Sequence, residues 1–199
     1  MSEPTREVEL KARVDDVHSA RSNVESAGAT LAFEGHLRDR IYDTPDGVLA
    51  AQDLVLRLRT YSSERGVSAH LDWKGPTRHE DGFKVRQELT TSIGDPDALS
   101  SMLVRLGYRV VRGIDRDIAQ YELPGEHDGP ALIIRFERYP RMDTLVEVEG
   151  TPAGIERGIR ALDIPRERFS AGRLADFVSA YEARTGQHAQ VCDNDPRSE

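Results

Sequence analysis

Two short acidic runs sit near opposite ends of the chain: Glu7 and Glu9 in one, Glu147 and Glu149 in the other. Each pair is spaced by two residues, so in an extended segment both carboxylates project from one face. Basic residues show the same spacing between them. Arg57 and Arg59 share a face, as do His70, Asp72 and Lys74, and then Lys84, Arg86 and Glu88; Lys11 joins Glu7 and Glu9. Carboxylate oxygens suit hard cations such as Mg2+ or Mn2+. Arginine forks and lysine point charges suit phosphate oxygens. Four or more convergent bases exceed the need of one phosphate and match a triphosphate carrying metal. Lysine occurs only at Lys11, Lys74 and Lys84, and the other 24 basic residues are arginine, so all three lysines lie on these charged faces.

The opposite faces are apolar: Val8, Leu10 and Ala12; Leu56 and Leu58; Leu71 and Trp73; Val85 and Leu89; Val146 and Val148. An antiparallel sheet with one wet face and one core face has this pattern. Wet faces usually mix Ser, Thr and Gln with charge, whereas these are almost purely charged. The sharper reading is a sheet curled so that its charged face lines an enclosed channel. Burying so many charges is tolerable only where they neutralise something.

The elements follow from periodicity and breakers. Strands are expected over 6–14, 31–43, 55–61, 67–74, 83–91, 108–122, 131–138 and 144–150, with a polar loop over 75–82. Helices are expected over 17–29, 95–106, 155–162 and 171–185, and 187–199 reads as a polar, disordered tail. The expected fold class is α+β, one domain.

The 199 residues carry a net charge of -8, from 27 basic and 35 acidic side chains. That balance argues against a nucleic-acid partner, which needs a basic face. No run approaches 18 apolar residues, so no membrane helix is expected. The one cysteine, Cys192, rules out cysteine metal sites and internal disulfides. Met1-Ser2-Glu3-Pro4 lacks a charged-then-apolar leader, and a cytoplasmic protein is the expectation.

Glu7-Val8-Glu9-Leu10-Lys11 resembles the ExExK signature of the CYTH superfamily, the class IV adenylyl cyclase and thiamine triphosphatase relatives known as triphosphate tunnel metalloenzymes. The order of the motifs downstream is more specific. Asp39-Arg40-Ile41-Tyr42-Asp43 resembles the family's D-x-Y-[YF]-D strand, and Leu56-Arg57-Leu58-Arg59 its L-R-x-R strand. Asp72-Trp73-Lys74-Gly75-Pro76 resembles T-x-K-G-P, Arg86-Gln87-Glu88 resembles R-x-E, and Glu147-Val148-Glu149 the closing ExE. The resemblance spans about residues 6–185. It implies an eight-stranded antiparallel β-barrel, a tunnel with helices packed outside, over 1–186.

The resemblance also implies roles. Glu7, Glu9, Glu147 and Glu149, with Glu137, are the expected ligands of Mg2+ or Mn2+. Arg57, Arg59, Lys74 and Arg86 are the expected phosphate grips. Lys11 adds charge beside the metal and, with Glu9, forms the expected catalytic pair. Two places depart from the family pattern. Where it has Lys-x-Arg, this chain has Arg112 and Arg116, and which points inward stays open. Where it has Asp before the closing ExE, this chain has Glu137. The implied partner is a triphosphate-containing small molecule, and a homodimer is a further expectation. The expected reaction is hydrolysis of tripolyphosphate, thiamine triphosphate or a nucleotide. The alternatives are cyclisation of ATP to cyclic AMP and pyrophosphate, and a non-catalytic binder of phosphorylated ligands.

Overall fold

The charged–apolar alternation is realised as long antiparallel strands. The computed structural model describes residues 3–125 and 129–193. In chain order the elements are β1 (Thr5–Arg13), α1 (Val17–Ser26), β2 (Thr30–Asp43), α2 (Val48–Ala51), β3 (Val55–Ser63), β4 (Gly66–Lys74), β5 (Arg78–Glu80) and β6 (Phe83–Ile93). They continue with α3 (Pro96–Arg105), β7 (Arg109–Leu123), β8 (Leu132–Arg138), β9 (Leu145–Glu149), α4 (Pro152–Leu162), a 3-10 turn at Arg166–Arg168, and α5 (Leu174–Thr185).

Eight strands pair in the order β1-β9-β8-β7-β2-β3-β4-β6, and β6 pairs back onto β1 to close the barrel. The short β5 pairs with β6 outside that ring of eight. Closure satisfies every strand edge and sorts side chains inward and outward by alternation. The outward residues are the apolar set. Val8, Leu10, Ala12, Ile134, Phe136, Val146 and Val148 pack with Ala20 and Val24 of α1 and with Ile155, Ile159 and Leu162 of α4. Burying each large aliphatic side chain stabilises by roughly 1.5–3 kcal/mol. The hydrophobic core therefore lies between barrel and helices, and the lumen is left to charge.

Helix α4 sits close on the barrel because Gly158 carries no side chain. A Cβ there would lie 2.5 Å from Leu132 Cδ2 and 3.0 Å from Val148 Cγ1. Its start is set by Thr151, whose Oγ1 accepts from Gly154 N at 3.1 Å, with Pro152 in the first turn.

The eight expected strands and four expected helices are present. Three short elements were not expected: β5, α2 and the 3-10 turn at Arg166–Arg168. β5 lies in the segment read as a polar loop; three residues are too few to show alternation, and its turn uses positive φ at Asp81 (51°) and Gly82 (82°). α2 is nucleated by Asp43, whose Oδ1 and Oδ2 accept from Leu49 N and Ala50 N, each at 2.9 Å. A disordered tail is the expectation from residue 187 onward, but the first part of this segment is tied to the barrel. Arg141 N donates to Gln190 O at 3.0 Å, Asp115 N donates to Val191 O at 2.8 Å, and Asp193 N donates to Asp115 Oδ2 at 3.0 Å. Residues 194–199 lie outside the described residues.

Candidate functional site

The inward residues of the barrel line two cavities of about 300 and 290 Å3, which share Glu7, Arg57, Arg59 and Arg135 and so form two halves of one lumen. Lys11, Lys74, Lys84, Arg86, Arg116, Glu9, Glu137 and Glu147 line the first half, with Arg112 and Arg173 at its mouth. Asp72, Glu88 and Glu149 line the second, together with His70, Thr90 and Gln120.

Strand register decides the first set of contacts. Glu9 lies opposite Lys84, and Lys11 lies opposite Glu147. Lys84 Nζ donates to Glu9 Oε1 at 2.6 Å, and Lys11 Nζ donates to Glu147. Lys74 Nζ reaches both oxygens of Glu7 at 2.6 Å and lies 3.3 Å from Glu88. Burial alone would raise the Glu9 carboxyl, but Lys11 and Lys84 outweigh it and hold that group well below the usual range. Glu7 is likewise lowered, chiefly by Lys74 working against burial. Burial pulls the Lys11 ammonium down, opposed by Glu9 and Glu137.

The arginines choose a different set of acids. Arg59 grips Asp39 side-on, Nε to Oδ1 at 2.7 Å and Nη2 to Oδ2 at 2.8 Å. Arg57 donates through Nε and Nη2 to Asp72 Oδ2 at 2.9 and 2.6 Å. Arg116 donates Nε to Glu137 Oε1 at 2.7 Å and Nη1 to Asp39 Oδ2 at 3.1 Å. Tyr139 Oη donates to the other Glu137 oxygen at 2.7 Å. Burial would raise the Glu137 carboxyl; Arg116, Lys11 and Arg135 instead bring it down to about 2. Arg86 is held by carbonyls, Nε to Gly75 O and Nη2 to Asp53 O, each at 2.7 Å.

The residues expected to form the site thus converge on one lumen, with distinctions. Arg112 and Arg116 lie on the same face of β7 and both line the first cavity, Arg116 buried in its wall and Arg112 exposed at its mouth. Glu149 lies toward the opposite end from Lys11. Glu137 has both carboxylate oxygens occupied by Arg116 and Tyr139. His70 stands in the second half with its ring edge-on to Tyr61 at 5.8 Å.

Sequence reasoning missed three residues. Arg135 is buried and donates Nη1 to Glu147 Oε1 at 2.6 Å and Nε to Gln120 Oε1 at 2.9 Å. It lies two residues before Glu137, so alternation within Leu132–Arg138 was the available signal. Tyr139 lies two residues beyond Glu137 but outside the strand. Arg173 reaches the mouth from just before α5 and bonds Asp53 at 3.1 Å through Nη2. Nothing local in the sequence announces that approach.

Among the described residues the Glu149 carboxylate makes no hydrogen bond and no ion pair within 4 Å. Burial raises its carboxyl, with Glu7 and Glu9 adding to the rise against Arg135. A carboxylate left uncompensated beside two others is the donor chemistry that a hard cation satisfies. The side chains as they stand bring no three such groups together among the described residues, because Glu7 and Glu9 are turned onto Lys74 and Lys84. The donor set fits in kind, and occupancy requires those lysines to let go.

The CYTH domain family profile matches residues 5–139. The chain belongs to the CYTH family. No curated protein matches it in sequence. Among solved structures, a candidate adenylate cyclase from Vibrio parahaemolyticus is 23% identical, with a TM-score of 0.71 over 87% of this chain and 97% of that one. The PH1819 protein of Pyrococcus horikoshii is 21% identical, with a TM-score of 0.69 over 87% and 98% of the two chains. A candidate adenylyl cyclase from Hippeastrum, described as having a dominant triphosphatase activity, is 17% identical, with a TM-score of 0.62 over 87% and 96%. At these identities the likeness is one of fold.

Proposed function

We propose that this protein is a divalent-metal-dependent triphosphatase, hydrolysing a triphosphate held within the barrel. The observation that carries the reading is the lumen: an enclosed, charge-lined space whose first half is about 300 Å3 and basic in balance. Its excess of bases suits a compact polyanion, and the strongest candidate is inorganic tripolyphosphate.

Glu7, Glu9 and Glu149, with Glu147, are the residues that would hold Mg2+ or Mn2+, whose bound charge would offset that of the phosphoryl oxygens and orient the attacking oxygen. The chain's own groups do the rest. Lys11, Lys74 and Lys84 are compact ammonium charges that can exchange a glutamate oxygen for a phosphate oxygen. Arg57, Arg59 and Arg116 are anchored forks that keep fixed directions. Glu9 is ionised far below neutrality, so it serves as a charged ligand rather than as a proton acceptor poised near pH 7. Catalysis in such a site is positioning and electrostatic stabilisation of the transferring phosphoryl group.

Incubation with tripolyphosphate, thiamine triphosphate and ATP, in Mg2+ and separately in Mn2+, tests this by identifying every product. Orthophosphate released from tripolyphosphate is the expected result. Cyclic AMP and pyrophosphate from ATP, with tripolyphosphate left intact, would make the protein a class IV adenylyl cyclase. Tight binding with no turnover would make it a binding module.

A further inference from the structure

Six of the interior acids fall into two groups by the cation each one holds. Glu7, Glu9 and Glu147 are paired with lysines, and Glu147 also with Arg135. Asp39, Asp72 and Glu137 are held by arginines, through two nitrogens of one fork at Asp39 and Asp72. Asp39 stands apart within the second group. It is 1% exposed, lies directly opposite Arg59 in the β2–β3 register, and faces three guanidinium groups: Arg59 side-on, Arg116 at 3.1 Å and Arg57 at 3.6 Å.

The nitrogens these arginines leave unused matter as much as those they use. Arg59 spends Nε and Nη2 on Asp39, Arg116 spends Nε and Nη1 on Glu137 and Asp39, and Arg57 spends Nε and Nη2 on Asp72. Among the described residues Arg59 Nη1, Arg116 Nη2 and Arg57 Nη1 make no hydrogen bond. Nor are they sealed off, since the one fully buried side-chain polar atom without a partner among those residues is Thr77 Oγ1. Arg59 is therefore fixed side-on by Asp39 and keeps Nη1 free, Arg116 is held between Glu137 and Asp39 and keeps Nη2 free, and Arg57, bonded to Asp72, has its Nη1 drawn toward Asp39 at 3.6 Å without a hydrogen bond.

We propose that Asp39 is a positioning residue for catalysis: it touches no substrate, and it sets the directions of Arg59 and Arg116, and the approach of Arg57, so that the nitrogens they leave without a hydrogen bond converge on one phosphoryl group. This rests on the reading of those arginines as the phosphate clamp. It predicts a signature that differs from lost binding. An uncharged residue at this position relieves the lumen of one negative charge, so anion attraction holds or rises. The arginines lose their common anchor, so the geometry needed in the transition state is lost.

The test is Asp39→Asn, which keeps shape and removes charge, read by steady-state kinetics on tripolyphosphate and by calorimetric binding of tripolyphosphate and of orthophosphate without turnover. The expected result is kcat lower by about tenfold to a hundredfold, the range for misplaced catalytic groups, with KM no higher than in the wild type. The preference for tripolyphosphate over orthophosphate should narrow in parallel. Unchanged kcat in a folded Asp39→Asn protein, or a raised KM at unchanged kcat, would overturn the proposal. If Asp39→Asn does not fold, Arg59→Lys decides instead: it keeps the charge and forfeits the side-on pair. It should reproduce the kcat loss, and wild-type kcat there would overturn the proposal. A wild type that binds tripolyphosphate without hydrolysing it defeats the enzyme reading alone, and the narrowed binding preference still tests Asp39. A wild type that does not bind tripolyphosphate defeats both.

Discussion

Replacing Glu137 by Gln should destabilise the protein, and by an amount that depends on pH. The carboxylate is 1% exposed, accepts from Arg116 Nε and Tyr139 Oη at 2.7 Å each, and ionises at about 2 against an ordinary 4.5. A depressed carboxyl pKa means that the unfolded chain takes up the proton first as pH falls. The stability it contributes is complete above about pH 4.5 and is lost on descending toward 2. The difference of about 2.5 units corresponds to roughly 3 kcal/mol at neutral pH. That agrees with the 3–5 kcal/mol typical when one partner of a buried pair is removed, here leaving Arg116 with Asp39 alone. For a chain of this size it lowers Tm by roughly 6–12 °C. The assay is thermal unfolding of wild type and Glu137→Gln at pH 7 and pH 3. At pH 3 the unfolded wild type is already protonated and the gap should shrink to about half. A Tm difference under about 2 °C at pH 7, or one equally large at both pH values, would refute the reasoning.

Three further outcomes are expected. Activity should vanish in excess chelator, and Glu7→Gln with Glu9→Gln should lower it by orders of magnitude while the fold survives; full activity in chelator would remove the metal from the proposal. Lys74→Ala and Arg57→Ala should each weaken tripolyphosphate binding about tenfold to a hundredfold by calorimetry, whereas Arg184→Ala, which breaks a pair with Asp143 and a contact with the Tyr181 ring, both outside the lumen, should change it little. Tripolyphosphate with Mg2+ should raise Tm far more than orthophosphate with Mg2+, because it reaches more of the lumen's bases; equal shifts would mean that the site does not count phosphates.

The barrel is legible in the sequence because its strands are long and its two faces differ so sharply. Glu7-Val8-Glu9-Leu10-Lys11 announces both the period and the side that must avoid the apolar core. What sequence cannot supply is the register between strands far apart in the chain. Lys84 is a weaker candidate until β1 and β6 are paired and it comes to lie opposite Glu9. Asp39 reads as part of a motif, and its grip on arginines from two neighbouring strands needs the closed barrel to exist. Arg135 is hidden by its neighbours: Ile133 occupies the preceding inward position, so the strand lacks the unbroken charged face that marks the others. Tyr139 and Arg173 act from outside the strands, where alternation says nothing.

The closure of the barrel also bears on how the protein is made. β1 carries Glu7, Glu9 and Lys11, and its two neighbours are β6 and β9, the latter ending at Glu149. During synthesis β1 must therefore wait until β9 has followed before its second edge is paired. Contacts of such long sequence separation slow folding, and unpaired edges expose a nascent chain to association. No shorter fragment ending before β9 can assemble the lumen, so proteolytic or premature-stop products should carry no residual share of its chemistry.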